Sequence, residues 1–157
     1  MKQPPSPLAG TLVLAALVVL TFCAPLTGLI APPGAWYESL NKPTWNPPAW
    51  IFGPVWTLLY LMMAVAAWLA WKSMPSWRVL IPYFIQLALN AAWTPVFFGL
   101  QQPGWALVVI IALWLAIVLT IRGFRSASQA AAWLLAPYLL WVSFATVLNF
   151  TLWRMNG

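Results

Sequence analysis

Apolar residues fall along this chain in five long blocks, and the polar ones gather in the gaps. The blocks run about Leu8–Ile30 (8–30), Pro48–Trp71 (48–71), Val79–Leu100 (79–100), Gly104–Phe124 (104–124) and Ala130–Leu152 (130–152). About 20 helical residues cross the hydrocarbon core of a bilayer, and every block is long enough. None carries a charge in its interior; Arg122 stands near the end of the fourth. A strand barrel would show segments of ~10 residues with alternating polar positions, whereas these runs are continuously apolar. The pattern predicts an all-α membrane protein, one domain over residues 1–157, folded as a five-transmembrane-helix bundle.

The gaps suggest how the helices are arranged. Helices 3 and 4 are joined by about Gln101-Gln102-Pro103, too short for anything but antiparallel neighbours. The 2–3 link runs from Lys72 to Arg78, and the 4–5 link holds Arg122, Arg125 and Ser126. Only the 1–2 link is long, about Ala31 to Pro47. Lys2, Lys72, Arg78, Arg122 and Arg125 collect on the N-terminal side; Lys42, Arg154 and Glu38 lie on the other. The positive-inside rule then predicts a cytoplasmic N-terminus if the protein sits in an inner membrane. A cleaved signal peptide is a poor reading of the first block, because Phe22 before Cys23 is too large for a cleavage site and the run is long for an h-region. Prolines 25, 54, 82, 95 and 137 lie within or near the blocks and each removes a backbone donor. Kinks at Pro54 and Pro95 are expected to splay the helices around a pocket.

Composition restricts the chemistry. Of 157 residues, 64% are hydrophobic and 5% charged, against about 25% charged in soluble domains. That excludes a soluble globular domain and a disordered chain. The net charge of +6 comes from cations flanking the spans, with no basic stripe, so no nucleic-acid partner is expected. With no His, one acid (Glu38) and one cysteine (Cys23), a His-dependent triad, a carboxylate pair and most metal cages are out of reach. No metal site and no obligatory cofactor are expected. What is abundant is aromatic: 13 Trp, 8 Phe and 4 Tyr.

These aromatics share helix faces with amides. Trp56 and Tyr60 stand four apart on helix 2. Gln86, Asn90, Trp93 and Phe97 share a face of helix 3, and Tyr138, Trp141, Ala145 and Asn149 a face of helix 5. An amide in the bilayer interior needs a partner, so these faces point into the bundle. Each amide alone reads best as helix–helix glue. With Trp and Tyr beside them, the faces also suit a cavity walled by Trp56, Tyr60, Trp93 and Trp141, with Ala145 leaving room for a large flat apolar ligand. The 1–2 link, with Trp36, Tyr37, Trp45 and Trp50 stiffened by Pro43, Pro47 and Pro48, reads as a structured loop closing that pocket. A plain interfacial aromatic belt explains Trp50 but not the prolines.

The motifs Trp36-Tyr37-x-x-Leu40-x-Lys42-Pro43-x-Trp45-x-Pro47-Pro48, Phe52-Gly53-Pro54-Val55-Trp56-x-x-Leu59-Tyr60, Gln86-Leu87-x-Leu89-Asn90-x-x-Trp93-x-x-x-Phe97-Phe98 and Pro137-Tyr138-x-x-Trp141-x-x-Phe144-Ala145-x-x-Leu148-Asn149 closely resemble the translocator protein family. Its members are also called tryptophan-rich sensory proteins or peripheral-type benzodiazepine receptors. The resemblance covers about residues 9 to 156. It implies a five-helix bundle, usually a homodimer, whose pocket takes porphyrins such as protoporphyrin IX and haem, benzodiazepine-type ligands and, in animals, cholesterol. Family pocket positions fall on Tyr37, Pro47, Trp56, Tyr60, Asn90, Trp93, Trp141 and Ala145. Trp56 and Trp141 match tryptophans implicated in light-dependent porphyrin breakdown. The family's sterol motif falls on Leu148, Phe150 and Arg154, with Phe150 where the motif has Tyr, which weakens the case for sterol.

The expected function is therefore a membrane-embedded porphyrin-binding or sensor protein. Rival readings are a passive porphyrin or sterol transporter, a light-dependent porphyrin-degrading enzyme and a membrane scaffold for a protein partner. Coupled transport finds no buried charge and no internal repeat in support. For the dimer face, Ala88 and Ala92 on helix 3 have the small-residue spacing that lets backbones approach, and Ala66 and Ala70 on helix 2 offer the same spacing.

Overall fold

The structure, a computed structural model, describes residues 6–157. Lys2, one of the cations counted above, lies outside them. Five helices are long and apolar enough to cross a membrane: α1 (Pro7–Ile30), α2 (Ala49–Ser73), α3 (Trp77–Gly99), α4 (Pro103–Ala127) and α5 (Gln129–Asn156). Among the described residues there is no strand.

Local chemistry sets the ends. Ser6 caps α1 by accepting from the Ala9 N–H at 3.2 Å, with Pro7 in the first turn, where its missing donor costs nothing. Ser128 does the same for α5, accepting from the Ala131 N–H at 3.3 Å. It alone separates α4 from α5, because Arg122, Arg125 and Ser126 continue α4 instead of forming a link. Between α3 and α4 the chain reverses through Gln101, whose φ of 54° is left-handed.

The prolines mark changes of helix type. Pro25 lies in a 3₁₀ turn at Ala24–Leu26, and Pro95 opens a π-helical last turn at Pro95–Gly99. Pro137 starts the longer segment of α5 (Ala136–Asn156) after a turn at Leu135. The kink expected at Pro54 does not interrupt α2, which is helical from Ala49 to Ser73.

Packing closes a ring. α2 lies between α1 and α5, α4 lies between α5 and α3, and α3 returns to α1 at Ala24–Leu26. Helices 3 and 4 are neighbours, as their short link requires. Ala64, Ala66, Ala67 and Ala70 of α2 are fully buried. The pair Ala66/Ala70 therefore packs within the bundle and is excluded as a face between copies. Ala88 is exposed and Ala92 half-buried. Leu12, Val19, Ile85, Leu115, Leu119, Leu140 and Val147 are exposed on the outside, as an apolar solvent demands.

Overpacking a filled core costs about 1–3 kcal/mol. Ala66→Leu should therefore lower the melting temperature in detergent clearly, and Ala88→Leu on the outward face of α3 should leave a monomer's melting temperature nearly unchanged. Thermal unfolding of both variants checks this.

Candidate functional site

Three helices are tied together at mid-bundle by one chain of hydrogen bonds. The Tyr60 hydroxyl of α2 donates to Asn90 Oδ1 of α3 at 2.7 Å. Asn90 Nδ2 donates to Tyr138 Oη of α5 at 2.9 Å, and the Tyr138 hydroxyl donates to Gln86 Oε1, back on α3, at 2.9 Å. All four residues are buried. A second tie runs from Trp93 Nε1 to Asn149 Oδ1 at 3.0 Å, and from Asn149 Nδ2 to the Pro103 carbonyl at 2.8 Å. The amides on the predicted faces thus act as glue between helices, as each alone suggests.

Above this floor stands an aromatic wall. Trp56 stacks on Tyr60 with centroids 5.4 Å apart and meets Tyr138 edge-on at 6.2 Å. Phe52, one turn before Trp56, meets Trp141 edge-on at 5.8 Å, and Trp141 meets Phe144 at 5.5 Å. Trp93 stacks on Phe97 at 4.9 Å. Trp56, Trp93, Trp141 and Ala145 are half-buried, while Tyr60 and Asn90 are buried beneath them. Trp141 Nε1 is a buried donor without a partner. Gln86 Nε2 is another, deeper in the floor.

The 1–2 segment forms a lid. It carries one short helix, Ala35–Ser39, whose Trp36 and Tyr37 pack edge-on against Phe97 and Phe98 at 5.3–6.2 Å. Trp45 meets Phe144 at 5.9 Å. Lys42 is turned inward: its ammonium donates to the carbonyls of Glu38 and Leu40 and lies 4.7 Å from the Tyr37 ring centroid. Burial pushes the Tyr37 phenol above its ordinary pKa. Tyr37 is therefore neutral at physiological pH. Trp50 is 72% exposed, as an interfacial belt requires, and half-buried Trp36 packs in the lid.

Of the residues singled out from sequence, Trp56, Tyr60, Trp141 and Ala145 lie along the packed α2 and α5, with Asn90 joining the group through Tyr60 and Tyr138. Trp93 belongs to the neighbouring Phe97 cluster, where Tyr37 meets it from the lid. Pro47 is half-buried in the lid. The sterol-motif residues divide: Leu148 is buried, Phe150 and Arg154 are exposed. Three partners were not singled out as site residues. Phe52 and Phe144 stand four before Trp56 and three after Trp141, a helical spacing legible in sequence. Asn156, which binds the lid, carries no such signal. Beside the lid, an open cavity of about 560 Å³ lies between Trp36, Gln102, Gly104, Trp105 and Trp153. Among the described residues no cluster of His, Cys, Asp or Glu is placed to hold a metal.

Comparison with known proteins gives a consistent picture. The model of the TspO/MBR family matches residues 8–154. Protein CrtK of Rhodobacter capsulatus is 39% identical over 146 residues, covering 90% of this chain and 91% of that protein. Tryptophan-rich protein TspO of Chlorobaculum tepidum is 46% identical, covering 79% and 82%. The translocator protein of Homo sapiens is 44% identical, covering 77% and 75%.

The floor makes a quantitative demand. Asn90→Leu strands the Tyr60 hydroxyl and removes a donor from Tyr138, so it should cost about 1–3 kcal/mol, toward the lower end in a membrane protein. Tyr60→Phe should cost less in the Asn90→Leu background than alone. A double-mutant cycle on unfolding free energies in detergent measures the coupling.

Proposed function

The chain belongs to the TspO/MBR family, and from that premise we propose that it is a membrane-embedded binding and sensor protein for porphyrins, such as protoporphyrin IX and haem, and for similar flat apolar ligands. One observation carries the reading. The indoles of Trp56 and Trp141 stand half-buried on packed helices, flanked by Phe52 and Phe144, over a floor whose hydroxyls and amides are engaged with one another. Such a site grips a ring by stacking and area burial. Its unpaired Trp141 N–H suits an acceptor on the ligand. Iron ligation is not part of the proposal, since the Tyr60 hydroxyl is committed to Asn90 and the chain has no His.

Three further features belong to the same proposal. Lys72, Arg78, Arg122 and Arg125 are all exposed, and the order of the spans brings them to one end of the bundle. That supports a cytoplasmic N-terminus in an inner membrane. The exposed Ile81, Ile85 and Ala88 on α3, continuing to half-buried Ala92, support a homodimer through this face. Two half-buried indoles, Trp56 and Trp141, on the facing helices α2 and α5 support photochemical breakdown of a bound porphyrin under light.

Stacking on a bound ring contributes ~0.5–1.5 kcal/mol per aromatic pair beyond area burial, and lost apolar area adds about 25 cal/mol per Å². Trp141→Ala should therefore weaken protoporphyrin IX binding by at least about tenfold, and Ala145→Leu should weaken it by filling the cleft. Trp133→Ala, whose indole is 68% exposed in the first turns of α5, should bind like the wild type. Fluorescence titration decides: wild-type affinity in Trp141→Ala would refute the site. Light-driven bleaching of bound porphyrin should slow in the Trp56→Phe, Trp141→Phe double variant, followed by Soret absorbance.

A further inference from the structure

We propose that Asn156, at the end of α5, is the latch of the lid: a positioning residue that sets how fast a ligand passes in and out of the cleft rather than how tightly it is held. The inference rests on the reading of the cleft as a ligand site.

The Asn156 amide meets the backbone of Asn41 on both of its sides. The Asn41 N–H donates to Asn156 Oδ1 at 2.9 Å, and Asn156 Nδ2 donates to the Asn41 carbonyl at 3.0 Å. One side chain thereby pairs with the N–H and C=O of a single residue, as a neighbouring antiparallel strand would. The same Nδ2 also donates to the Leu152 carbonyl at 2.8 Å, which fixes the amide to its own helix. Only a side chain with a donor and an acceptor on one planar group can do this.

The rest of the lid is held differently. Its aromatic contacts are Trp36 and Tyr37 on Phe97 and Phe98, and Trp45 on Phe144. Edge-on ring contacts persist over a broad range of centroid distances, whereas a hydrogen bond weakens steeply with angle and distance, so the ring contacts tolerate small displacements better. Among the described residues, every side-chain hydrogen bond joining the lid to a helix remote in sequence is made by Asn156. Within the lid, Lys42 ties Glu38 to Leu40, and the Asn46 N–H donates to the Pro43 carbonyl at 3.0 Å. The lid is thus built as a unit and joined to α5 at one polar point, between its two aromatic anchors.

Solvent exposure makes the latch reversible. Both residues are exposed, so water replaces the bonds when the latch opens. The floor bonds of Tyr60, Asn90 and Tyr138 are buried and have no such replacement. Trp45 of the lid rests on Phe144, which meets Trp141, so in this proposal a ligand enters beside Trp141 from this end when the lid moves.

The test uses the full chain in detergent or nanodiscs with Asn156→Ala, Asn156→Asp and, as control, the exposed neighbour Met155→Ala. Two readouts are taken: amide hydrogen exchange across residues 35–47, and stopped-flow fluorescence with protoporphyrin IX. Asn156→Ala should raise lid exchange by roughly three- to tenfold. Association and dissociation should accelerate by a similar factor, leaving equilibrium affinity nearly constant. Asn156→Asp, which keeps the acceptor and loses the donor, should fall between; Met155→Ala should match wild type. Unchanged lid exchange in Asn156→Ala overturns the latch whatever the ligand. Raised exchange with unchanged rates, or faster dissociation alone with a matching loss of affinity, overturns its role in passage. If the wild type does not bind protoporphyrin IX, the functional reading fails, and lid exchange alone then decides whether Asn156 is a latch.

Discussion

Inside a bilayer no water waits for an unpaired hydroxyl or amide, so each polar side chain in a span has to be answered by another part of the protein. This fold is organised by that demand. The chain from Tyr60 through Asn90 and Tyr138 to Gln86 binds α2, α3 and α5, and Trp93, Asn149 and the Pro103 carbonyl bind α3, α5 and the start of α4. Trp114 donates to Ser143 at 2.8 Å between α4 and α5, and Thr21 pairs with Tyr83 between α1 and α3. The hydrophobic effect alone cannot choose among helix arrangements when lipid is as apolar as leucine, which leaves close packing of small residues and hydrogen bonds to do so.

The same demand bears on the proposed recognition. Apart from Gln86 Nε2, the amides and phenols of the floor are engaged with one another, so aromatic faces are left as the main surface a ligand would meet. Trp141 is the exception at the wall, with a buried N–H that no described residue accepts. A site of this kind discriminates by shape and ring area more than by a hydrogen-bond code. Ligands of different chemistry and similar flatness should then compete for it.

Much of this was legible in the sequence, and the reason is physical. Five spans followed from length and hydropathy, because a membrane leaves no other way to bury uninterrupted apolar runs. The inward faces of α3 and α5 followed from helical spacing, since Gln86, Asn90 and Asn149 cannot face lipid. Pair identities were not legible: spacing says that Asn90 points inward, not that Tyr60 and Tyr138 are its partners. The choice between Ala66/Ala70 and Ala88/Ala92 as an outer face also needed the packing, because small-residue spacing is the same inside a bundle as on its surface. Nor did spacing reveal the bond between Asn41 and Asn156. It joins residues 115 apart in the chain through a backbone group that every residue carries.

Floor and lid differ in what their hydrogen bonds exchange against, and the difference divides the molecule mechanically. Breaking the Tyr60–Asn90 bond exposes two buried groups to an environment with nothing to offer, a cost of the order of 1–3 kcal/mol for each stranded group. Breaking the exposed pair at Asn156 trades one set of partners for water. The bundle beneath the lid is therefore the rigid part and the outer segment the adjustable one. Change is cheapest where water can take over, and in this molecule that is the lid, where Trp36, Tyr37 and Trp45 rest on rings of α3 and α5. Under the proposed function, a ligand that displaced those rings would alter the lid without disturbing the bonds that hold the helices.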